Sequence, residues 1–75
     1  MSITSAIHLE ACVLTLVLNG KPVPPGMEVP DGDPVDALEK RVERLCLLTG
    51  SSKKRIRKII LNCVRRGVNF LEAER

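Results

Sequence analysis

The sequence predicts an α+β chain in which a short N-terminal strand precedes a two-helix hairpin. An all-α helical hairpin dimer is the alternative. Three observations lead there. Residues 11–18, ACVLTLVL, are apolar, rich in β-branched side chains, and stop at Asn19-Gly20. Residues 22–34 contain all five prolines. Beyond Pro34, apolar residues recur at spacings of three and four.

The N-terminal segment reads as a strand because Val13, Thr15 and Val17 favour a pleated backbone. Asn-Gly is a turn dipeptide, and Lys21-Pro22-Val23 is a candidate return strand that Pro22 confines to a sheet edge. The rival reading is a helix from about Thr4 to Leu18, with Gly20 as its stop. Residues 22–34 then form a connector with a turn near Asp31-Gly32, long enough to argue against one rigid unit. The chain thus divides into an apolar arm with its connector, 1–33, and a helical hairpin, 34–75.

Asp33-Pro34 is an N-cap followed by proline at the first helical position, with Asp36 near the orphan amides. Val35, Leu38, Val42, Leu45 and Leu48 make one apolar stripe, and Gly50 ends this helix, 34–49. Ser51 or Ser52 caps a second helix, whose stripe is Ile56, Ile59, Ile60, Cys63 and Val64. Gly67 is its candidate end, with Val68, Phe70 and Leu71 available to extend it. Leu14, Leu16, Leu38, Val42, Leu45, Ile56, Ile59, Ile60 and Val64 are therefore the expected core or dimer contacts.

A 75-residue chain buries only about 60% of its unfolded surface, and here Phe70 is the sole aromatic residue. Association with a second copy is the usual remedy, so a homodimer or higher oligomer is expected. Cys12, Cys46 and Cys63 are odd in number and far apart, each among aliphatic residues. They read as reduced, unreactive thiols in a cytoplasmic protein. His8 is the only histidine and no Cys/His pattern has zinc spacing, so neither a metal nor another cofactor is expected. The N-terminus lacks the basic n-region of a secretory signal, and its apolar run is too short to span a bilayer.

Charge is more informative. Residues 1–36 hold one base, Lys21, against five acids, whereas residues 37–75 hold eleven bases against four acids. The overall +3 conceals a polarised chain, and a basic half suits a polyanion or an acidic protein surface. Lys53, Lys54, Arg55, Arg57 and Lys58 cluster at the start of the second helix, where the dipole already favours negative charge. A solvated face and an anion site explain that cluster about equally well. Arg65 and Arg66 sit at the helix C-terminus, where they complement the dipole.

The stretch ALEKRVERLCLLTGSSKKRIRKIIL, residues 37–61, resembles the ribbon-helix-helix family. The resemblance implies an intertwined dimer whose paired N-terminal strands enter the DNA major groove. It also implies that amides at the start of the second helix hold a phosphate, here at Ser51, Ser52, Lys53 and Lys54. On the apolar strand 11–18 and its turn, only Thr15, Asn19 and Lys21 offer polar base contacts. The same Thr-Gly-x-Ser turn is found in helix-turn-helix proteins, with Gly50, Ser52 and Ile56 at the turn and the start of the recognition helix. The long first helix ranks that second.

No P-loop, Gly-x-Ser-x-Gly, dinucleotide fingerprint or paired carboxylates is present, so an enzyme is not expected. Asp31, Asp33 and Asp36 are explained by turns and capping rather than calcium. The leading expectation is a small dimeric DNA-binding protein, a transcriptional regulator or plasmid- or phage-type accessory factor. The alternative is a module that docks the basic hairpin on an acidic protein.

Overall fold

The computed structural model describes residues 2–66, and three α-helices account for most of them: α1 (Ile3–Leu18), α2 (Pro34–Thr49) and α3 (Lys53–Arg65). No strand occurs among the described residues, so the α+β expectation is corrected to all-α. The extension through Val68, Phe70 and Leu71 lies outside the described residues.

The correction falls on residues 11–18, which continue a helix begun at Ile3. Ser2 is its N-cap, its hydroxyl accepting from the Ser5 amide at 3.1 Å. Asn19-Gly20 stops the helix instead of turning a hairpin. Gly20 adopts φ +67°, its amide donates to Val17 O, and the Lys21 amide donates to Leu16 O at 2.9 Å. That pair of bonds is a Schellman motif, which needs a left-handed residue at the position Gly20 fills. Thr15 fits the helix by donating its hydroxyl to Ala11 O at 2.8 Å. A lone apolar strand would leave its ladder amides unpaired, whereas a helix satisfies them within the segment.

Ala11, Cys12, Val13, Leu14 and Thr15 are all buried. Five consecutive helical residues point in every direction around the axis, so this part of α1 is covered on all sides. Helices α2 and α3 cover one side: Ile7, Ala11 and Cys12 join Val42, Leu45, Ile56 and Ile60 in one cluster. The described segment left for the other side is the connector 19–33, in which Val23, Pro24, Met27 and Pro30 are half-buried. Helix α1 of the arm therefore shares one hydrophobic cluster with the hairpin.

Helix α2 starts and stops as expected. Asp33 caps it, accepting from the Asp36 amide at 3.2 Å, and Gly50 closes it at φ +72°. Ser52 caps α3 through the Arg55 amide at 3.3 Å. The expected core is mostly in place: Leu14, Val42, Leu45, Ile56 and Ile60 are buried, while Leu16, Leu38 and Val64 are half-buried. Ile59 departs from it at 40% exposure, and Val35 and Leu48, the two ends of the α2 stripe, are exposed at 60% and 49%.

Candidate nucleic-acid interface

Seven of the twelve basic residues belong to α3 and its ends. Residues 51–66 carry seven bases and no acid. Only Ile56 and Ile60 of the helix are fully buried, with Cys63 and Val64 half-buried, so α3 stands exposed over most of its circumference. Lys53, Lys54, Arg55, Arg57, Lys58 and Arg65 are all exposed.

These cations form two groups. On the side facing α2, Arg57 Nη2 donates to both Glu39 carboxylate oxygens at 2.8 Å. Lys53 Nζ lies 3.7 Å from Glu39 and 3.5 Å from Glu43. The expected phosphate clamp at the start of α3 is thus partly closed by carboxylates of α2. With about half of each side chain exposed, these pairs are weak and exchangeable. On the outer side, Lys54, Arg55, Lys58 and Arg65 form no ion pair among the described residues. Lys54, Lys58 and Arg65 follow one face of the helix, with Leu61 and Asn62 between them, over about 16 Å of rise.

The remaining expected contacts divide. Ser52 is exposed and engaged in capping, Ser51 is half-buried, and Lys21 is exposed just after α1. Thr15 is corrected: it is buried and its hydroxyl is bonded within α1, so it cannot meet a base. The ribbon implied by the family resemblance has no strand to form it among the described residues.

One cluster escaped the sequence reading altogether. His8 and Cys12 lie one helical turn apart on α1, and α3 brings Cys63 against them. Cys63 Sγ is 3.7 Å from His8 Nε2, and the nitrogen and both sulfurs lie within 4.8 Å of one another. Burial lowers the His8 pKa. Burial, reinforced by the Cys63 sulfur beside it, pushes the Cys12 thiol up to about 12. The available signal was His-x-x-x-Cys at helical spacing, which a strand reading of 11–18 hides.

No family model, curated protein or solved structure matches the chain. No helix among the described residues is long and apolar enough to cross a membrane.

Proposed function

We propose that the chain is a small nucleic-acid-binding protein that lays the outer face of α3 against the phosphate backbone of duplex DNA. The observation that carries this is the set Lys54, Arg55, Lys58 and Arg65, exposed on one helix with no carboxylate partner among the described residues. Lys54 and Lys58 are like charges at i,i+4, an arrangement that destabilises a helix by a few tenths of a kcal/mol. Phosphates between them reverse the sign of that term.

Shape supports the same reading. The major groove, about 12 Å wide, admits one α-helix, and α3 projects with only a narrow stripe held in the core. The three-residue connection through Gly50, Ser51 and Ser52 suits a helix-turn-helix presentation, with α2 crossing the backbone. Arg55 and Asn62 then carry the donor patterns that read guanine and adenine edges. Exposed Leu47 and Leu48, at 86% and 49%, give α2 an apolar patch for self-association, consistent with a dimer spanning two half-sites.

The test is duplex binding against salt concentration. A falling log affinity with a slope set by a few released counterions is expected, and the Lys54→Glu/Lys58→Glu variant should flatten that slope without changing the helical circular dichroism. Salt-independent or absent binding refutes the proposal. The second reading, docking on an acidic protein, is favoured if the purified chain carries a protein partner and its absorbance ratio shows no nucleic acid.

A further inference from the structure

We propose that His8, Cys12 and Cys63 form a binding site for one thiophilic divalent cation of the zinc class, clipping α1 to α3. The chain has four thiol or imidazole side chains, and three of them converge at this point. Around them the core is otherwise aliphatic, built from residues such as Ile7, Val42, Ile56 and Ile60.

The spacing suits a metal. Zinc holds sulfur at about 2.3 Å and imidazole nitrogen at about 2.0–2.1 Å. Around a tetrahedral ion those lengths place a sulfur and a nitrogen roughly 3.6 Å apart, and two sulfurs roughly 3.8 Å apart. Cys63 Sγ and His8 Nε2 are already at 3.7 Å, and no pair among the three ligand atoms exceeds 4.8 Å. The adjustment is within about 1 Å, and His8 and Cys63 are both half-buried side chains with room to make it. His8 and Cys12 share a helix face, so the backbone fixes two ligands and α3 supplies the third.

The chemistry is that of the softer metals. One nitrogen and two sulfurs select zinc over magnesium or calcium, which take oxygen ligands. On binding, each thiol gives its proton to solvent and the sulfur donates to the ion, so two protons leave per ion when both start protonated. Two thiolates and the dication sum to zero charge, which suits a partly buried site. Three protein ligands leave the fourth position for water. The structural return is a cross-link between α1 and α3 of a small chain whose described core residues include no aromatic side chain.

The experiment uses the reduced, full-length chain and cobalt(II) as the spectroscopic probe. Thiolate-to-cobalt charge-transfer absorption should appear, saturate at one ion per chain and vanish when zinc is added. Zinc alone should raise the thermal midpoint. Cys63→Ser and His8→Gln, at half-exposed positions, should each abolish the charge-transfer band or shift its intensity and affinity sharply while leaving far-ultraviolet circular dichroism intact. Cys46→Ser should leave the titration unchanged. Cys12 is buried, so Cys12→Ser is the confirming variant and not the deciding one. No charge-transfer band overturns the site, as does a band that survives Cys63→Ser and His8→Gln together. Saturation at half an ion per chain, or dependence on Cys46, overturns it equally. None of these readouts involves nucleic acid, so the site stands or falls independently of the function proposed for α3.

Discussion

Replacing Glu39 with glutamine should lower stability and raise DNA affinity together. Glu39 sits between two cations of α3, holding Arg57 at 2.8 Å and Lys53 at 3.7 Å. Unit charges 2.8 Å apart attract by roughly 1.5 kcal/mol in bulk water. Side-chain ordering and salt reduce an exposed pair to about 0.2–1 kcal/mol, and both partners here are about half exposed. Glu39→Gln should therefore destabilise the fold by about 0.5–1 kcal/mol in urea titration. The affinity effect has the opposite sign. A phosphate meeting Arg57 would lie roughly 7 Å from the Glu39 carboxylate, where repulsion in water is about 0.6 kcal/mol, or roughly threefold in affinity. Releasing Arg57 to make a phosphate contact adds up to about 0.9 to the magnitude of the salt slope, while Lys53 keeps Glu43 at 3.5 Å. Fluorescence anisotropy with a labelled duplex at several salt concentrations measures both quantities. Tighter binding with a steeper slope is expected, and Glu43→Gln, which leaves Lys53 paired with Glu39, should do less. Weaker binding in step with the lost stability would refute the reasoning, because Glu39 would then be positioning α3 and not competing with phosphate.

Four further outcomes follow from the packing and the caps. Gly50→Ala should cost about 1–2 kcal/mol by urea titration, since φ is +72° and an added Cβ meets nothing within 4 Å, leaving only the left-handed backbone term. Gly50→Asn should recover part of that loss, as asparagine tolerates the same region. Leu45→Ala should cost about 3 kcal/mol, because Leu45 is 2% exposed in the central cluster, whereas Leu47→Ala, at 86%, should change the monomer's stability by less than about 0.5 kcal/mol. Native-state alkylation of the metal-free, reduced chain should label half-buried Cys46 before Cys12, which is 5% exposed and held protonated by a pKa near 12; the order is read by mass spectrometry. Burial against Cys12 and Cys63 holds His8 below its ordinary pKa of 6.5, so the folded state binds fewer protons there than the unfolded state. Stability should accordingly fall as pH drops through 6.5, and His8→Gln should remove that part of the acid sensitivity.

What the sequence determined by itself was local. Asp33-Pro34, Gly50 and Ser52 placed both ends of α2 and the start of α3, because capping depends on a side chain and an amide a few residues away. The Leu38-Val42-Leu45 and Ile56-Ile60 stripes gave the buried faces for the same reason of short-range periodicity. The crowding of cations on residues 53–58 was equally legible. Tertiary structure decided the rest. Residues 11–18 suit either backbone, and the Asn-Gly that follows serves a hairpin turn or a helix stop equally well. Only the surroundings choose: α2 and α3 pack against that segment, and no partner strand is offered among the described residues. The pairing of Lys53 and Arg57 with Glu39 joins residues 14 and 18 positions apart, and the meeting of Cys63 with His8 spans 55. Contacts across such separations depend on how whole helices dock, and no window of neighbouring residues contains them.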